Sequence, residues 1–143
     1  MDNKDPYYNP PEEWSFESIV SRYNKINNDC GKECAISFEF VAKLPEIIRI
    51  KKALQMISLE LKSEDPGAIE LSVSLVASPV YFHYSGYIRA TMARRLKNCS
   101  LNARQKRELI KGIDAVLANK KLSYEFKEVK ALYVKVKNDI EIM

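Results

Sequence analysis

At 143 residues, 46% apolar and 29% charged, the chain suits a single globular domain that buries about two-thirds of its unfolded surface. That excludes a disordered or fibrous body. The formal net charge of +4 divides unevenly: residues 1–39 hold eight acids against four bases and the rest eleven against nineteen, so the two parts carry −4 and +8.

The start, MDNKDPYYNPPEEW, is acidic and rich in proline, without the basic-then-apolar order of a secretory leader, and is expected to form an extended arm over residues 1–14. A single α-helical domain follows over 15–143. No apolar run approaches the roughly 18 residues that a membrane-spanning helix needs. Cys30, Cys34 and Cys99 are an odd number in a chain of this size, which favours reduced thiols. A cytoplasmic protein without membrane contact is therefore expected.

In WSFESIVSRYNKINN, Ser15 is placed to cap a helix, and Phe16, Ile19, Tyr23 and Ile26 form one stripe. CAISFEFVAK alternates through Cys34, Ile36, Phe38 and Phe40, which is the period of a strand, yet Cys34, Phe38 and Val41 also fit helical spacing. LPEIIRIKKALQMISLELKSE places Ile47, Ile50, Leu54, Ile57 and Leu61 on one helical face. AIELSVSLVAS alternates as well, but Asp65 followed by Pro66 is a helix start, and Ile69, Val73 and Val76 recur at helical spacing. Two isolated strands among helices would be poorly supported, so residues 34–41 and 69–76 are both expected to be helical.

In SPVYFHYSGYIRATMARRLK, Tyr81, Tyr84, Ile88, Met92 and Leu96 share a face and are expected to be core, with Phe82, Tyr87 and Thr91 flanking it. Asn102 and Gln105 form a capping pair before Leu109, Ile110, Ile113, Val116 and Leu117. Leu122, Phe126, Val129, Tyr133, Val136 and Ile140 mark the last helix. The expected fold is all-α, about seven helices in antiparallel pairs joined by short connections, as a short HEAT-like solenoid or a helical bundle.

The order of SPVYFHYSGYIRATMARRLK, LNARQKRELIKGIDAVL and YEFKEVKALYVKV resembles the end of small bacterial HEAT-like helical-repeat proteins. The resemblance covers residues 75 to 136, and its most particular piece is Ser85-Gly86-Tyr87 followed by Arg89. It implies an α-solenoid-like fold and no shared activity.

Residues 89–111 hold Arg89, Arg94, Arg95, Lys97, Arg104, Lys106, Arg107 and Lys111 against Glu108 alone. Two consecutive antiparallel helices would merge these into one positive surface, while solvated outer faces are the commoner fate of such runs. Arg89, Arg94, Arg95, Arg104, Arg107, Lys111, Tyr87 and His83 are the candidate binding residues. His83 is the one histidine, without the partners that a general base or a metal site requires. Cys30 and Cys34, four apart, lack the second pair of a zinc site. No phosphate loop, H-E-x-x-H or nucleophile elbow occurs, so no catalytic residue, metal or cofactor is expected.

The leading expectation is a non-enzymatic protein-binding module, an adaptor or a toxin-neutralising protein of the immunity type. The alternative is nucleic-acid binding through the basic helices, which requires tyrosines exposed for stacking. Heptad-like spacing in the third and last helices suits an internal core as readily as a dimer seam, leaving the oligomeric state open.

Overall fold

The computed structural model describes residues 10–33, 36–82, 84–118 and 126–142. Among them are six α-helices and no strand: α1 (Phe16–Asp29), α2 (Glu46–Leu59), α3 (Pro66–Val76), α4 (Ser85–Leu96), α5 (Ala103–Ala118) and α6 (Phe126–Ile142). Short 3-10 turns stand at Glu12–Trp14, Val41–Lys43 and Glu60–Ser63. No helix among the described residues is long and apolar enough to cross a membrane.

The helix starts follow local chemistry. Ser15 accepts from the Ser18 N–H at 3.2 Å, and Asn102 and Gln105 exchange side-chain and backbone bonds at 2.8 and 2.9 Å as a reciprocal box. Trp14, at the end of the expected arm, is buried with the Arg22 guanidinium 4.8 Å from its ring centroid. Arg22 also donates to the Glu13 carbonyl at 2.8 Å and to Ser74 Oγ at 3.2 Å, tying the entering chain to both α1 and α3.

The centre of the molecule is α3, whose Ala68, Ile69, Leu71, Ser72, Val73, Leu75 and Val76 are all buried. Only a stripe through Pro66, Glu70 and Ser74 is half-exposed, and a helix buried over the rest of its surface needs several neighbours. Here α1, α2, α4 and α5 all pack on it. Burial leaves its ends without water, so side chains satisfy them. At the start, Asp65 accepts from the Ala68 N–H at 3.1 Å, while Asn27 accepts from the Gly67 N–H at 2.8 Å and donates to Asp65 at 3.2 Å. At the end, Arg89 Nε donates to the Leu75 carbonyl at 3.2 Å, and its Nη2 to the carbonyls of Ser78, at 3.3 Å, and Val80.

Residues 36–38 are not helical, contrary to the expectation for 34–41; Cys34 itself lies outside the described residues. Ile36 and Phe38 are buried while Ser37 and Glu39 are exposed. The Phe38 ring meets Phe16 edge-on at 6.3 Å and Tyr23 at 5.7 Å. The alternation therefore belongs to an extended strap that runs back along α1, one side chain inward and the next outward. Such a return is required because α1 and α2 lie start to start, with Arg49 5.5 Å over the Phe16 ring. Residues 69–76, with the same alternation, are helical as expected.

Among the described residues the helix count is six where about seven were expected, the strap standing in place of one. Nor do successive helices always pair: α4 packs on α6 and α3, and α5 on α6 and α3, while α4 with α5 is not among the main packed pairs. The order of contacts gives directions. Residues 27 and 22 of α1 meet 65 and 74, so α1 runs opposite to α3. Lys51 meets Tyr84 and Ser58 meets Arg95, so α2 and α4 run the same way.

Gly112 lets α5 cross the end of α3 at backbone contact, since a Cβ there would lie 2.6 Å from the Ala77 Cβ and closer still to its carbonyl oxygen. Glycine inside a helix ordinarily loses about 1 kcal/mol relative to alanine. Here the sign reverses. Gly112→Ala is expected to lower stability by about 1–3 kcal/mol through overpacking, measured by urea unfolding.

Burial, with Glu64 nearby, pushes the Cys99 thiol up to about 11, and burial followed by Asp65 raises Tyr23. The fold keeps both protons where the unfolded chain releases them, so stability is full below about pH 9 and falls as pH rises toward about 11. Urea midpoints measured across that range are expected to decline less steeply in Cys99→Ala.

Candidate binding surface

The turn before α4 decides which aromatics reach solvent. Ser85 Oγ accepts from the Phe82 N–H at 2.9 Å and the Ser85 N–H donates to the Phe82 carbonyl at 2.8 Å, closing a tight turn. Phe82 is buried, while Tyr84 takes the left-handed conformation with φ 65°. Non-glycine residues adopt that region at a cost of about 1–2 kcal/mol. Tyr81 and Tyr87 are 59% and 61% exposed and Tyr84 is 37% exposed, which corrects the expectation that Tyr81 and Tyr84 are core. Ile88, Met92 and Leu96 are buried as expected.

These tyrosines stand beside α2. The Lys51 ammonium sits 3.6 Å from the Tyr84 ring centroid, and the Tyr84 and Tyr87 rings lie 5.6 Å apart at 40°. Next along the two helices is a pocket lined by Gln55, Ser58, Leu59, Tyr87, Thr91 and Arg95, with Ile88 beneath. Leu59 is 51% exposed at its rim. Residues 47–59 contain three bases and no acid, and residues 71–107 contain no acid at all. The face is thus aromatic and cationic, the carboxylates of its helices lying only at the two ends of α2, at Glu46 and the adjoining Glu60.

The expected continuous basic surface is not assembled. Arg89 is buried as the cap of α3 and is unavailable to a partner. Arg104 pairs with Glu70 and, at 3.1 Å, with Glu108. Lys97 and Lys106 each lie 4.0 Å from a carboxylate of α6, Glu128 and Asp139. Arg107 and Lys111 are exposed on the side of α5 toward α6, lining a groove with Ile110, Asp114, Lys137 and Ile140. Arg95 and Tyr87 remain on the side of α4 nearest α2, Arg94 is exposed to solvent, and His83 lies outside the described residues. The reason is topological: α4 and α5 are held apart by their shared neighbours α3 and α6.

Sequence reasoning passed over Gln55, Ser58 and Leu59, and took Lys51 only as one more base. Their signal was a second stripe on α2, Ile48, Lys51, Gln55 and Leu59, with apolar residues on the side opposite the core. Among the described residues no cluster of His, Cys, Asp and Glu could hold a metal ion. No family model, curated protein or solved structure matches the chain.

The left-handed backbone separates two variants that both lack the ring. Tyr84→Gly is expected to be more stable than Tyr84→Ala by about 1 kcal/mol, because only glycine occupies φ 65° without strain. Thermal unfolding of the pair checks this.

Proposed function

We propose that this protein is a non-enzymatic helical binding module that engages an acidic protein surface through the outer face of α2 and α4. An adaptor or a toxin-neutralising protein would use such a face. The observation that carries the reading is the cluster of exposed Tyr84 and Tyr87 with half-buried Lys51 and Arg95. Tyrosine and arginine are the side chains in which binding energy concentrates at interfaces, and a predominantly cationic face favours approach of a negative partner.

Of the two architectures expected, the HEAT-like one draws support from the packing: α1, α3 and α5 form one row of contacts, α2, α4 and α6 another, and α1 with α2, α3 with α4 and α5 with α6 meet across the rows. The reversed direction of α1 departs from regular stacking. Among the described residues Cys30 and Cys99 are free thiols, which favours a reducing, cytoplasmic setting.

Nucleic acid is the second reading, favoured by the exposure of Tyr81, Tyr84 and Tyr87. It ranks lower for two reasons. Lys51 covers one face of the Tyr84 ring and the tilted pair of rings offers no parallel slot for a base. The cations that would extend a phosphate track, Lys97, Arg104 and Lys106, are matched to carboxylates.

A variant carrying Lys51→Glu, Tyr84→Ser and Tyr87→Ser is expected to lose the partner recovered from native lysate, while Arg107→Glu with Lys111→Glu retains it. Circular dichroism confirms that both fold. Equal recovery by the two variants overturns the assignment of the face. A gel shift of oligo-dT at low salt that the first variant abolishes would install the nucleic-acid reading instead.

A further inference from the structure

We infer that the pocket between α2 and α4 accepts a carboxylate, an Asp or Glu side chain of an acidic partner segment, with Arg95 as its anchor. The pocket encloses about 320 Å³. This rests on the reading of the face as protein-binding and adds the chemistry of the residue that enters.

The anchor is positioned from inside the protein. Ser58 is 4% exposed, and its hydroxyl donates to the Gln55 carbonyl at 3.0 Å while accepting from Arg95 Nη1 at 3.0 Å. A buried serine whose own proton is committed to the helix can offer the guanidinium only a lone pair, so it holds Arg95 in one orientation. Arg95 has no ion pair among the described residues, and its Nε and Nη2 have no hydrogen-bond partner there. A planar guanidinium with one edge tethered and its other donors open is suited to the two oxygens of a carboxylate. Leu59, Tyr87 and Ile88 supply apolar walls that would cover the methylenes of an entering side chain and limit water around the ion pair. Lys51 beside Tyr84 extends the positive potential along the same face, which suits a segment bearing more than one acid.

Other basic sites lack this arrangement. Arg104 already faces two carboxylates, and the groove lined by Arg107 and Lys111 includes Asp114, which would repel an entering acid. Arg95 is the basic side chain of this face that a buried hydroxyl orients.

The test is an NMR titration of isotope-labelled full-length protein with a short peptide alternating Glu and Leu, against its Gln-for-Glu counterpart. The expected result is saturable movement of the Arg95 Nε–H and of the Tyr87 and Thr91 amides with the Glu peptide only. Arg95→Gln should weaken binding about tenfold, the scale of a lost charged hydrogen bond, while Arg107→Gln leaves it unchanged. Arg95→Lys should recover only part, since a lysine cannot bind both oxygens in a fork. Ser58→Ala should broaden the Arg95 Nε–H signal and weaken binding roughly threefold by loss of preorganisation, without moving the backbone amides of α4 in the free protein. Equal affinity for the two peptides, no binding of the Glu peptide at millimolar concentration, or indifference to Arg95→Gln overturns the inference. If those negatives coincide with partner recovery that still depends on Lys51, Tyr84 and Tyr87, the pocket fails and the protein-binding face stands.

Discussion

A helix apolar over most of its surface must be enclosed by neighbours, and once enclosed its terminal N–H and C=O groups must find partners inside the protein. The burial of α3 imposes both demands here. Each unpaired buried polar group costs about 1–3 kcal/mol against a total stability of about 5–15 kcal/mol, so the two ends of α3 matter to the whole molecule. Asn27 and Asp65 meet the demand at one end by bonding each other and two successive N–H groups. Arg89 meets it at the other through the Leu75 carbonyl and also binds the Ser78 and Val80 carbonyls of the segment that follows, where a positive charge suits the helix dipole. An arginine engaged in this way is part of the scaffold.

The directions of the helices follow from the same packing and shape the surface. With α1 reversed against α3, the chain must travel back before α2 begins, and the strap through Ile36 and Phe38 makes that journey along α1. Because α2 and α4 then lie side by side in the same sense, their facing residues line up in register: Lys51 with Tyr84, and Ser58 with Arg95. The face proposed for binding thus joins two segments more than thirty residues apart in sequence.

Charge is sorted by this arrangement more than by composition. The basic run at 89–111 is spent in three ways: inside the fold at Arg89, in ion pairs at Lys97, Arg104 and Lys106, and in solvent at Arg94, Arg107 and Lys111. Exposed ion pairs contribute little stability, but they remove cations from the pool that a distant phosphate chain would sense. What is left is local, aromatic and adjacent to a small pocket.

Local chemistry alone determined much of the helical framework. The caps at Ser15, Asp65 and Asn102 and the stripe through Ile50, Leu54, Ile57 and Leu61 depend on residues within a few turns of one another, so spacing is enough to read them. The alternating segments at 36–38 and 69–76 share one pattern and took opposite structures. A period of two says only that every second side chain is buried, and what lies opposite decides the rest: the side of α1 for the strap, and neighbours over most of its surface for α3. Likewise, helical spacing groups Tyr84 with Ile88 and Met92, but the turn held by Ser85 begins the helix one residue later and turns the ring outward. The roles of Arg89 and Arg95, alike in sequence, were decided only by tertiary structure, because whether a guanidinium meets carbonyls or a pocket depends on segments that the chain brings to it from elsewhere.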